Sequence, residues 1–370
     1  MDTIGLFLCG DVMTGRGIDQ ILASPCDPAI HEGYLESAVD YVELAEFANG
    51  AIPRRVPAPY IWGDALAELE RFRPDLRIIN LETAVTASDV WVPKGINYRM
   101  HPANVACLSA AAIDCCTLAN NHVLDWSDVG LIETLETLER AGVRTAGAGR
   151  NRGAAEAPAV LPVAGKGRVL VFAVGMASSG VPPEWAVTVD RPGVDFLADL
   201  SRRSVEGIAR RVDAVKRPGD AVVLSIHWGA NWGYDVADDE RWFARALIDS
   251  AGVDLVHGHS SHHPKGIEVY GERLILYGCG DFINDYEGIR GHEAFRGDLG
   301  LMYLPVLEAG TGRLVRLEMV ATQMKRFQVR RAGEADARWL SAMLDREGRR
   351  FGTRSELLPE RRIELRWESS

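Results

Sequence analysis

What the sequence lacks narrows its class before any motif is read. It has no run of about 18 apolar residues, so no ordinary membrane-spanning helix is expected. The opening MDTIGLFLCGD has no basic region and meets Asp11 directly after a short apolar stretch. That is not the pattern of a secretion signal, and a cytoplasmic location is expected. Cysteine is scarce, with six in 370 residues, and no two are spaced as C-x-x-C. Cys9, Cys26, Cys107, Cys115, Cys116 and Cys279 fall mostly in apolar runs and read as reduced core residues, which excludes a disulfide scaffold. Positive charge is in deficit: 41 Lys and Arg against 52 Asp and Glu leave a net charge of −11. This argues against general nucleic-acid binding and does not favour an anionic membrane surface, though a local basic pocket stays open.

What is present is the composition of an ordinary globular chain, 47% hydrophobic and 25% charged. The length suffices for one large α/β domain or two modest ones. Linkers, internal repeats and low-complexity stretches are missing, so one domain over residues 1–370 is expected, with a C-terminal helical extension at about 335–350. Apolar runs at Ile4–Cys9, Leu76–Ile79, Cys115–Leu118, Val169–Val174, Ala221–Ile226 and Val253–Val256 predict buried strands. Helical periodicity at Trp62–Phe72, Asn104–Ala112, Val129–Ala141, Ser204–Lys216 and Arg241–Ser250 lies between them. The alternation implies a largely parallel arrangement. Hairpin signals around Gly271-Glu272 and Ala309–Gly312 add antiparallel strands. Residues near 25–60 are rich in Pro and Gly and read as a long excursion.

The polar residues are placed by position. Asp11, Asn80, Glu82, Asn121, His122, His227, His257, His259 and Asp281 each lie at or just past the C-terminal end of an apolar run. In open α/β sheets ligand sites collect at that edge. Four of the nine histidines crowd the stretch LVHGHSSHHPK, as His257, His259, His262 and His263. Each residue also has a plain structural reading. Asp11 can cap a helix at Val12–Ile18, Asn80 and Asn121 can make turn bonds, His227 can be a satisfied core histidine, and His262 and His263 a solvated loop. Asp125, three residues after His122, is placed to orient it.

The motifs Gly10-Asp11-Val-Met-Thr-Gly-Arg16, Asn80-Leu-Glu82, Ala119-Asn120-Asn121-His122, His227-Trp228-Gly229, Gly258-His259 through His262, and Gly280-Asp281-Phe282 stand in a characteristic order. As a set they resemble the CapA-type family of poly-γ-glutamate capsule proteins and their relatives, over about residues 4–335. The resemblance implies an α/β fold of the calcineurin-like metallophosphoesterase type, a layered β sandwich flanked by helices with a metal site at the strand ends. It also exposes departures. A two-metal phosphoesterase opens with Asp-x-His, whereas here the slot holds Asp11-Val12-Met13, and Asn80 with Glu82 stands where a bridging Asp is usual. A paired-metal clamp ~3.5–4 Å across needs a full ligand set on both sides. One divalent metal is therefore expected, with Ca, Mg or Mn favoured and Zn left open by the many imidazoles, and with Asp11, Glu82, Asn121, His227 and His259 as candidate ligands.

If one ion uses few of the imidazoles, the others are left for proton transfer. Asp11, His122, His227, His259, His262, Asp281 and His292 are the candidate catalytic groups. His/Asp pairs on two faces of a substrate suit Cα epimerisation of a residue in a ribosomal peptide such as a lasso precursor. A metal-dependent peptide epimerase is thus the expected activity. The alternatives are an accessory role in poly-γ-glutamate synthesis and a retained phosphoesterase. The partner is a peptide or polyglutamate chain in the first two cases. Arg16, Asn80, Arg99, Trp228, Trp232 and Lys265, together with Lys94, are expected to hold it.

Overall fold

In the computed structural model, which describes residues 2–368, the strand Thr3–Val12 lies inside a ten-stranded sheet. On one side it pairs in parallel with Leu76–Leu81, which continues in parallel to Cys115–Thr117 and Arg144–Ala146. On the other it pairs antiparallel with Leu299–Glu308, followed by the antiparallel strands Leu314–Met324, Arg362–Trp367 and Thr353–Leu358. A second sheet of six strands runs in parallel through Gly167–Gly175, Ala221–His227, Leu255–His259 and Arg273–Leu276. Its edges, Ala159–Val163 and Ile267–Tyr270, are antiparallel.

Residue alternation along the strands builds the layers, because successive side chains on a strand point to opposite faces. Leu6 and Leu8 of the first sheet share one apolar cluster with Val169, Val171, Val223 and Leu255 of the second. These two inner faces therefore pack on each other. Phe7 and Cys9, pointing the other way, pack with residues of the helices Ala38–Asn49, Asp64–Phe72, Ala106–Ala110 and Ser127–Arg140. Phe172, Leu224 and Ile275, on the outer face of the second sheet, pack with the helices Arg202–Asp213 and Asp238–Ala251. The result is the layered β sandwich flanked by helices that the resemblance implied.

The expected strands and helices are present, with ends shifted by a few residues. The excursion near 25–60 differs: it contains the twelve-residue helix Ala38–Asn49, whose Tyr41, Val42 and Ala45 are buried. The expected C-terminal helix occupies Glu334–Gly348, but the chain then returns as two strands that extend the ten-stranded sheet. All six cysteines are free; five are buried and Cys26 is half-buried. No helix among the described residues is long and apolar enough to cross a membrane.

Candidate metal and polymer site

Register alone brings the polar residues of the first sheet together. Asp11 stands opposite Asn80 on one neighbour and Asp281 on the other, and Asn80 stands opposite Thr117. In the second sheet His227 is the register partner of His259, and Ser225 of His257. Val223, Ser225 and His227 alternate onto the inner face, as do Leu255, His257 and His259, so apolar packing gives way to polar groups toward the strand ends. His257 Nε2 donates to the Cys9 carbonyl at 2.8 Å and ties the two sheets together there.

At the centre Asp11 is fully buried. Its Oδ1 accepts from Asn80 Nδ2 at 2.7 Å and its Oδ2 from the Ser260 N–H at 3.1 Å. Ser260 holds φ 105°, a region that disfavours side chains, to aim that N–H. Asp11 therefore caps no helix. His259 Nδ1 is 3.8 Å from Asp11 Oδ1 and 2.7 Å from His227 Nδ1. His227 Nε2 donates to Asn121 Oδ1 at 3.0 Å. Glu82 Oε1 lies 3.8 Å from His227 Nε2 and 3.7 Å from His122 Nε2. Ligand atoms of Asp11, His227 and His259 all lie within 4.8 Å of one another. Glu82 Oε2 is buried without a hydrogen-bond partner among the described residues.

Burial governs the electrostatics. It raises the Asp11 carboxyl to about 7, helped by the Asp281 charge and opposed by the Asn80 hydrogen bond. Burial and then Asp11 push Glu82 up as well. The imidazoles move the other way: burial lowers His227 and His259, and takes His122 down to about 4 against the pull of Asp125. His262 is the exception: burial lowers it, but Asp281, in contact with its Nδ1 at 2.9 Å, and Asp11 together raise it. Two acids pushed toward neutrality thus stand beside neutral imidazoles in one buried cluster.

A cavity of about 290 Å³ opens beside this centre, lined among others by Glu82, Lys94, Asn121, His122, His227 and His262. His122 Nδ1 donates to Asp125 Oδ2 at 2.6 Å, as the spacing predicted, which fixes the ring with Nε2 turned toward Glu82. Lys94 pairs with the other Asp125 oxygen at 2.8 Å and donates to the Asn121 carbonyl.

The remaining expected residues are placed as follows. Asn80 orients Asp11 and accepts from Asn120, so it is part of the scaffold rather than a contact for a ligand. Arg16, expected to hold a peptide carboxylate, is buried, and its guanidinium is committed to Asp285, Glu32 and Tyr41. Arg99 stacks on Trp126 and pairs with Asp89. Trp228 is core, donating to the Tyr277 carbonyl at 3.0 Å. Lys265 is buried and donates to the Asp235 carbonyl. His292 is exposed and lies flat on Trp232 at 4.0 Å, and both belong to a neighbouring cavity rather than to the metal-ligand cluster. These corrections share a cause: side chains reach partners that residue type does not name, from 10 positions away for Arg99 and Asp89 to 269 for Arg16 and Asp285. Sequence reasoning missed Ser225, whose hydroxyl meets His259 Nε2 at 2.7 Å, and Tyr98 and Tyr286, which line the cavity beside Glu82. Only Ser225 left a signal, as the one hydroxyl in the apolar run before His227.

The family model described as bacterial capsule synthesis protein PGA_cap matches residues 5–286. The chain is 46% identical over 366 residues to a protein of Mycobacterium tuberculosis named "probable polyglutamine synthesis accessory protein", covering 98% of this chain and 96% of that one. It is 28% identical over 316 residues to the PGA biosynthesis protein CapA of Bacillus subtilis, covering 84% and 70%. The capsule biosynthesis protein CapA of Bacillus anthracis matches at 28% over 193 residues, covering 52% and 45%. These relatives correct the expectation of a peptide epimerase, or of a hydrolase in its place: they are named as accessory or capsule biosynthesis proteins.

Proposed function

The chain belongs to the bacterial capsule synthesis protein family, and from that premise we propose that it is an accessory protein of glutamate- or glutamine-polymer synthesis. In this reading it holds a segment of the polymer in the cavity beside Asp11 and Glu82. The observation that carries it is the juxtaposition of Lys94 with a buried carboxylate–imidazole cluster at one cavity wall. A polymer of glutamyl units presents carbonyls, amide N–H groups and side-chain carboxylates or amides. Lys94, anchored by Asp125, offers a charge-assisted donor to such oxygens. His122, kept neutral by burial and fixed by Asp125, offers Nε2 as an acceptor for an amide N–H.

The residues fit a divalent metal. The unpartnered Glu82 Oε2, the buried Asp11 and the facing imidazoles make a donor set of the kind that holds a cation. Asp11, His227 and His259 would hold it, with Glu82 and Asn121 at its side. When bound, such an ion supplies a Lewis-acidic point that orients and polarises a carbonyl or carboxylate oxygen. Two imidazoles with carboxylates suit Mn or Zn better than Ca or Mg.

Calorimetric titration of metal-loaded protein with oligomers of γ-glutamate and of glutamine tests the reading. Saturable binding of one of them is expected, weakened roughly 10-fold or more by Lys94→Ala. No binding of either at millimolar concentration would overturn it.

A further inference from the structure

Among the described residues, twelve other than glycine have a positive φ. Eleven of them lie between 45° and 61°, in or beside the left-handed well that side chains enter at modest cost. Ser260 stands apart at 105°, where glycine is the usual occupant. This outlier is at the candidate site. Ser260 follows His259 directly and lines the cavity beside Asp11 and Glu82, together with His227 and His262.

The backbone conformation has a task, since it turns the Ser260 N–H onto Asp11 Oδ2 at 3.1 Å. That task needs no side chain. A glycine would perform it without strain, because the donor belongs to the main chain. Ser260 is buried, yet its hydroxyl makes only one hydrogen bond among the described residues, to the Gly229 carbonyl at 3.5 Å. An O–H donor at that distance is barely held. The adjacent Ser261 differs: its hydroxyl donates to the His263 carbonyl at 2.9 Å. Buried hydroxyls normally have a good partner, so a loosely held one on a cavity wall keeps its hydrogen for an acceptor inside the cavity.

We propose that Ser260 is a positioning residue for the ligand: its hydroxyl donates to an oxygen acceptor of the bound chain, on the same wall where its own N–H holds Asp11. One residue thereby ties the aim of Asp11 to the placement of the ligand, through its main chain on one side and its side chain on the other. The backbone strain is the cost of having a hydroxyl at that point rather than a glycine. The inference rests on the proposed function and deepens it, by naming the group that sets the ligand against the carboxylate–imidazole cluster.

Two substitutions separate the strain from the contact. Ser260→Gly removes both the strain and the hydroxyl, Ser260→Ala removes the hydroxyl alone, and each keeps the N–H that holds Asp11. In chelated protein Ser260→Gly is expected to raise the melting temperature by roughly 1–4 °C, with Ser260→Ala within about 1 °C of the wild type. Metal affinity, read by competition with a metallochromic chelator, should stay within about three-fold in both, since the group orienting Asp11 is retained. Calorimetric titration of the metal-loaded full chain with γ-glutamate and glutamine oligomers should find whichever oligomer the wild type binds weakened roughly 10-fold in both variants. A purely structural serine would leave that affinity unmoved. Oligomer affinity equal to the wild type in both variants therefore overturns the ligand contact and leaves the polymer-binding reading in place. A glycine variant no more stable than the alanine one removes the strain from which the inference starts, and overturns it as well. A wild type that binds neither oligomer ends both readings.

Discussion

His227 Nδ1 and His259 Nδ1 lie 2.7 Å apart, so a hydrogen is shared between two residues that are both candidate metal ligands. Asn121 Oδ1 can only accept, so His227 Nε2 carries a hydrogen. Burial keeps the ring neutral, which leaves His227 Nδ1 bare, to accept from His259 Nδ1–H. His259 Nε2 is then bare and accepts from the Ser225 hydroxyl at 2.7 Å. The alternative tautomer, with His259 Nε2–H donating to Ser225, leaves two lone pairs facing each other, an arrangement that only a cation makes favourable.

Ser225 therefore sets the tautomer by which His259 becomes a ligand. Ser225→Ala is expected to lower metal affinity roughly 10- to 100-fold, as removal of a group orienting a ligand histidine does. Competition against a metallochromic chelator measures it. Unchanged affinity would detach Ser225 from the site.

The cluster offers ligands for one ion. Elemental analysis of protein purified with Mn or Zn should find about one equivalent per chain, and Asp11→Ala or His227→Ala should lose it. Chelation should lower the melting temperature of the wild type and leave that of the two variants unmoved. Two tightly held equivalents would contradict the ligand set drawn here.

The carboxyl of Asp11 is raised to about 7 in the folded chain from an ordinary 3.8. The folded state then binds more protons than the unfolded one between those values, so this group's contribution to stability falls as pH rises from about 4 to about 7. In chelated protein Asp11→Asn should be destabilising or neutral at pH 4 and should gain on the wild type by up to a few kcal/mol at pH 8. Urea denaturation at both pH values checks the sign, and a difference that moves the other way refutes the assignment. Metal binding has the opposite slope, strengthening as pH rises through 7, because the ligand must lose its proton.

Arg16 belongs to the scaffold. It pairs with Asp285 at 2.5 Å and with Glu32 at 2.9 Å, all three side chains being almost wholly buried, and its backbone sits at φ 45°. Arg16→Ala strands two carboxylates, and a loss of ~3–5 kcal/mol in unfolding free energy is expected. Polymer affinity of the folded fraction should change less than with Lys94→Ala. A variant of normal stability that no longer binds polymer would return Arg16 to the ligand.

The parts of the fold that were legible in the sequence are those set by local pattern. The strands ending at Asp11, Asn80, Cys116 and His227 stand out because buried strands are continuous apolar runs, and the hairpins because turns need particular residues. The helix Ala38–Asn49 was hidden by the Pro- and Gly-rich residues around it, and the two last strands by their alternation of charged and apolar residues on a sheet edge. At the site, Asp11, Glu82, His122, His227 and His259, which the sequence placed at strand ends, are brought together in one cluster. Arg99, Trp228, Lys265 and His292 were chosen for their chemistry and lie elsewhere, because residue type does not say which partner a long side chain reaches.

By itself, then, the order of residues determined which groups stand at strand ends, since strand direction and the two-residue period are local properties of the chain. Which of those ends face each other was decided only in three dimensions, when two sheets packed through Leu8, Val171 and Val223 and brought Asp11 against His259. That choice depends on the burial of apolar surface between distant segments, and the same burial raises the carboxyls and keeps the imidazoles neutral.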